Sequence, residues 1–221
     1  MKDADFTFAI IADQVSSRTG ADAVPHALAQ LADLDCVLPF ERTAGDEVQA
    51  LLAAPDAVVD AVVRLTRLSG WRIGVGAGTV DAPLPSSTRE ARGPAYLAAR
   101  EAITAARRQP TDFALRLPAA VGGDGYGEVL DAAADAETAL WLLRGTLARR
   151  SREGWELMDL LDAGLTSAEA AERLGISRSA VSQRLAASAR EEGARGTRLA
   201  ARLLGRVQVL GGQPAQLGGR P

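Results

Sequence analysis

The 221-residue chain has a single cysteine, Cys36, and a single histidine, His26. No disulfide can close within it, and no Cys/His zinc cluster can be assembled. A Ser-His-Asp or Cys-His triad would have to use His26. Lysine is nearly missing too, with 24 arginines against Lys2 alone, so basic contacts must be made by guanidinium. Aromatic residues are 4% of the chain. No apolar run approaches the roughly 20 residues of a membrane span. The first one, Phe6–Ala12, is also too short for a signal-peptide core with a cleavage site. The expectation is a cytoplasmic chain with no membrane association. What remains is ordinary: 47% hydrophobic and 24% charged residues, enough for a core without covalent staples.

The net charge of −3 averages two unlike halves. Residues 1–140 hold 12 basic and 20 acidic groups, a net of −8, and residues 141–221 hold 13 and 8, a net of +5. The apolar run Phe6–Ala12, ending at Asp13, reads as a buried strand. Helical spacing follows from Val24 to Leu34. Cys36–Thr43 and Glu47–Leu52 read as strands joined by the tight turn Ala44-Gly45-Asp46. Asp56–Leu68 reads as a helix and Trp71–Val80 as a strand with glycine at every second position, Gly74, Gly76 and Gly78. Such a strand has a bare face that a helix or ligand can approach closely. Ala95–Arg107 and Asp112–Leu117 complete the set as helix and strand. The order predicts an α+β fold with a ferredoxin-like βαββαβ core and an appended strand, followed by an all-α domain. Glycine-rich Val121–Tyr126 is the expected break. The predicted division is a first domain over 1–120, a helical connector over 125–163, a helix-turn-helix domain over 164–210 and a disordered tail over 211–221.

Residues 166–187 read TSAEAAERLGISRSAVSQRLAA. Thr166 and Glu169 form a capping box, and Gly175 supplies the positive φ of a sharp turn. Ser177 caps a second helix in which Ala180, Val181 and Leu185 face inward. This is the pattern of a repressor-type helix-turn-helix, with the helix around Trp155–Leu161 as its third member. Its outward residues, Ser177, Arg178, Ser179, Ser182, Gln183 and Arg184, have major-groove chemistry: Gln for adenine, Arg for guanine, Ser for phosphate or either base. Five arginines between Arg190 and Arg206 are candidates for phosphate contact. The alternative is a plain αα-hairpin in a helical bundle.

Asp13 at the end of the first strand and Asp46 at the hairpin tip would meet at one sheet edge. Two such carboxylates suit Mg²⁺ or Mn²⁺ carrying a nucleotide phosphate, and the backbone amides of Ser16 and Ser17 could cradle phosphate oxygens. Equally, both aspartates could be plain turn and cap residues.

Four segments together carry a family resemblance: Ile11-Ala12-Asp13-Gln14-Val15-Ser16-Ser17-Arg18, Ala44-Gly45-Asp46-Glu47-Val48-Gln49-Ala50-Leu51-Leu52, Ile73-Gly74-Val75-Gly76-Ala77-Gly78 and Gly93-Pro94-Ala95-Tyr96-Leu97-Ala98-Ala99-Arg100-Glu101-Ala102. Residues 6–108 resemble the SatD family and, more distantly, class III nucleotidyl cyclases and GGDEF domains. The resemblance implies that Asp13 and Asp46 are metal-binding. It also implies that Ser16, Ser17, Arg18, Arg42 and Arg100 face a nucleotide, with Arg42 at the base and Arg100 at the phosphates. At Tyr96 those cyclases carry Asn, so the resemblance implies binding more than turnover. The expected protein is a homodimeric regulator that binds double-stranded DNA and senses a nucleotide or related phosphorylated ligand. The rivals are a metal-dependent nucleotidyl cyclase or nucleotide hydrolase, and a stress protein whose helix-turn-helix holds a protein partner.

Overall fold

A computed structural model describes residues 6–15, 21–119 and 126–213. Its fold is α+β: a five-stranded mixed sheet with eight helices among the described residues. The elements are β1 (Thr7–Gln14), α1 (Val24–Leu31), β2 (Leu38–Arg42), β3 (Glu47–Leu52), α2 (Pro55–Leu68), β4 (Trp71–Gly78), α3 (Pro94–Ala106), β5 (Phe113–Arg116), α4 (Tyr126–Leu147), α5 (Arg152–Asp162), α6 (Ser167–Leu174), α7 (Arg178–Ala187) and α8 (Arg190–Gly211). The strand order is β2-β3-β1-β4-β5. All neighbours are antiparallel except β4 and β5, which α3 joins as a parallel crossover.

Central β1 is apolar on both faces because both faces are covered. Phe8, Ile10 and Ala12 enter the larger core with α1, α2, α4 and α8, while Ala9 and Ile11 enter a second core under α3. The strand extends past the apolar run, so Asp13 lies inside it, opposite Glu47 on one side and Arg72 on the other. The alternating glycines of β4 serve the helix. A Cβ on Gly74 would overlap the backbone of Ile103, and one on Gly76 the backbone of Ala95 and Ala99.

The edge of β5 is closed by side chains of α4. The Leu115 amide donates to Glu137 at 3.0 Å, Trp141 Nε1 donates to the Phe113 carbonyl at 2.9 Å, and Arg144 donates to the Asp112 carbonyl at 3.2 Å. Edge strands are commonly shielded in this way from pairing with other chains. Arg144 also donates to the Trp71 carbonyl at 3.0 Å, and burial lowers its pKa to about 10.

The expected break at Val121–Tyr126 lies, but for Tyr126, outside the described residues, and one core joins elements on both sides of it. Helix α4 is no mere connector: Ala132, Ala136, Leu140 and Leu143 belong to the main core. Helix α8 returns to that core through Ala200, Ala201, Leu204 and Val207. Gln208 Nε2 then bonds the carbonyls of Phe6 at 2.8 Å and Ala53 at 2.7 Å. The helical run expected over Glu128–Ala163 is broken after Leu147, and Ser151 starts α5 by accepting from the Gly154 amide. Disorder was expected from Gly211, yet α8 continues through that residue. Residues 214–221 lie outside the described residues. Among the described residues no helix is long and apolar enough to cross a membrane.

Candidate functional site

Two sets of residues carry the candidate chemistry. The first is the unit of α5, α6 and α7. Its small core joins Leu157, Met158, Leu161, Ala170, Ala171 and Val181. The Thr166 side chain accepts from the Glu169 amide and the Glu169 carboxylate accepts from the Thr166 amide, so both halves of the capping box are present. Gly175 takes φ 65° and ψ 32°, the left-handed conformation that the sharp turn needs.

Ser177 Oγ accepts from the Ala180 amide at 3.2 Å and lies 2.8 Å from Ser179 Oγ. Ser177 is therefore engaged in starting α7. Ser182 donates back to the Arg178 carbonyl at 3.1 Å. Ser177, Arg178, Ser179, Ser182 and Gln183 are exposed and Arg184 is half-buried, while Val181 is buried beneath them. Of the expected inward positions Val181 is buried and Ala180 and Leu185 are half-buried, the same class as Arg184, which was expected to face outward.

This unit is tied to the body at one joint. Arg67, at the end of α2, grips Asp159 of α5 with two bonds of 2.6 Å. The Trp155 ring lies under two guanidiniums, Arg150 at 4.3 Å and Arg67 at 5.2 Å. Arg150 also donates to the Ser188 carbonyl at 2.8 Å, between α7 and α8. Apart from Arg150 over Trp155, these partnerships link residues far apart in the chain and have no sequence signature.

The five arginines from Arg190 to Arg206 are all exposed, but they are not equivalent. At a rise of about 1.5 Å per residue, Arg206 lies about 24 Å along α8 from Arg190. Arg202 and Arg206 flank Leu204, which is seated in the main core. Arg190 stays at the end near α5, 3.7 Å from Asp162, and Arg195 pairs with Glu191 at 2.6 Å.

The second set lies at the sheet edge. The Gln14 amide donates to the Asp46 carbonyl at 3.1 Å, which brings the hairpin tip against the end of β1 as expected. Asp13 is almost buried and both its oxygens are engaged, Oδ1 by Arg72 at 3.0 Å and Oδ2 by Arg107 at 3.3 Å. Burial raises its pKa above the usual carboxylate value, and the two guanidiniums only partly oppose this. Glu47, beside Asp46, accepts from Thr43 at 2.6 Å and from Arg100 at 2.7 Å. Arg42 donates to the Gly45 carbonyl at 2.6 Å and to Asp22 at 2.9 Å, and this bond lowers the Asp22 pKa.

Of the expected nucleotide contacts, Arg42 and Arg100 are thus paired within the chain, while Ser16, Ser17 and Arg18 lie outside the described residues. Among the described residues no group of three or more His, Cys, Asp or Glu side chains is gathered for a metal ion. A divalent cation at Asp13 would have to displace Arg72 and Arg107. Both partners were missed in the sequence, although period-two alternation puts Arg72 on the same face of β4 as Gly74 and Gly76.

Tyr96 is buried, with its hydroxyl 3.0 Å from Thr88 Oγ1. Neither a protein-family model nor a curated protein matches the chain.

Proposed function

We propose that the chain is a DNA-binding transcriptional regulator whose α+β domain senses a nucleotide or related phosphorylated ligand. The observation that carries this reading is α7: a doubly capped helix-turn-helix core presents Arg178, Ser179, Ser182 and Gln183 to solvent. Among the described residues the side chains of Arg178 and Gln183 make no hydrogen bond or ion pair, so base edges would meet no internal competitor. The +5 charge of residues 141–221 supports an electrostatic approach to the duplex.

The order β2-β3-β1-β4, antiparallel throughout, supports a ferredoxin-like βαββαβ core of nucleotidyl-cyclase-like topology, with β5 added through α3. A homodimer would present two recognition helices to a two-fold operator. The ligand would act from the body through α4, α8 and the Arg67–Asp159 joint. No step is assigned to a metal at Asp13 and Asp46, because Asp13 already neutralises two arginines.

The deciding experiment is DNA retardation with the full chain on selected operator fragments. The double variant Arg178→Ala with Gln183→Ala is expected to lose sequence-specific retardation. Each lost base contact is worth about 1–3 kcal/mol of discrimination. Retardation that survives unchanged at moderate salt would sink the recognition-helix assignment.

A further inference from the structure

A cavity of about 510 Å³ opens between β3, the 81–93 loop and the first turns of α3. Arg89, Arg92 and Arg100 line it, against a single carboxylate, Asp81. The loop that carries Arg89 and Arg92 is anchored on both sides. Thr88 is fully buried, and its carbonyl accepts from Gln49 Nε2 at 2.6 Å while its hydroxyl meets Tyr96. Ser87 Oγ donates to Glu41 at 2.5 Å and accepts from the Arg89 amide at 3.2 Å. The Asp81 amide donates to the Arg92 carbonyl at 2.9 Å. The backbone is therefore fixed, yet the side chains of Arg89 and Arg92 are exposed.

Among the described residues these two guanidiniums pair with no carboxylate. In the same domain Arg108 is likewise without a carboxylate, whereas Arg42, Arg64, Arg67, Arg72, Arg107 and Arg116 all pair with one. Holding unneutralised like charges beside a third, Arg100, concentrates positive potential at a concave surface. Arg100 is held by Glu47, an exposed pairing that an incoming anion can exchange. Guanidinium forks match phosphate oxygens in bidentate geometry. The volume falls within the range of small-molecule sites and is larger than one phosphate needs. The floor offers the amide of Gln49 and the ring of Tyr96, both buried.

We propose that this cavity binds a small molecule bearing a chain of two or more phosphates, held by Arg89 and Arg92, with Arg100 recruited from Glu47. The inference deepens the ligand half of the proposed function and rests on that reading for its link to DNA. It puts the phosphates on the 81–93 loop, away from Asp13.

The test is isothermal titration of the full chain, without divalent metal, using sodium tripolyphosphate, ATP and GTP. DNA retardation is run in parallel. Tripolyphosphate is expected to bind, and Arg89→Ala with Arg92→Ala is expected to weaken it about a hundredfold, since each charge-assisted contact is worth about tenfold or more. Ligand-free melting and DNA retardation should be unchanged in that variant. Undiminished tripolyphosphate binding, or an equal loss in Arg195→Ala with Arg198→Ala, would overturn the cavity. So would nucleotide binding without tripolyphosphate binding, although the sensing role would then survive. If neither tripolyphosphate nor any nucleotide binds, the sensing half falls with the cavity. The DNA half stands or falls separately with Arg178 and Gln183.

Discussion

Asp13 shows how one carboxylate can stand between two roles. Its oxygens balance Arg72 and Arg107, but burial outweighs their attraction and its pKa is raised from 3.8. A carboxyl whose folded pKa is raised contributes stability that is full below the unfolded value. That contribution is lost as pH rises through the folded value. Asp13→Asn removes this titration. In urea unfolding over a pH series, the stability difference should therefore move in favour of the Asn variant as pH rises from about 3 towards about 7. A difference that stays flat, or moves the other way, would show that the arginines dominate.

At the scale of elements, the contact of β4 with α3 is the tightest that a glycine substitution can probe among the described residues. Gly76→Ala places a methyl into the backbone of α3, which cannot yield as a side-chain end would. The expected cost is about 3 kcal/mol or more, the upper end for overpacking, read as a fall in the urea midpoint. This contact was legible in the sequence as glycine at every second position. The hairpin and the capped turn between α6 and α7 were legible too, because capping and turn residues act locally. The return of α8 is not legible in the same way. Ala200, Leu204 and Val207 have helical spacing, but they are small or medium-sized and lie between exposed arginines. Charge hid an apolar stripe that only a partner surface, α4 and α2, makes visible. Similarly, Asp13 and Asp46 were readable as neighbours, whereas the pairing of Asp13 with Arg107 depends on where α3 ends.

For the whole molecule, the decisive fact is that first and last described elements share one core. Ending the chain after Ser188 would remove Ala200, Ala201, Leu204 and Val207 and bare the apolar surface they cover. That truncated chain is expected to lose its cooperative thermal transition and to bind an apolar dye, whereas a self-sufficient first domain would keep both native. Helices α4 and α8 run antiparallel as a pair, with Leu147 against Gly193 and Leu143 against Gly196. The unit of α5, α6 and α7 is thus spliced into the body like a long loop, entering and leaving at neighbouring points. Such a unit can be excised. Replacing residues 149–189 with a short glycine-serine bridge should leave a soluble body that melts cooperatively and still takes up tripolyphosphate but no longer retards DNA. By the same geometry, a different helical unit could be grafted at that point without redesigning the body.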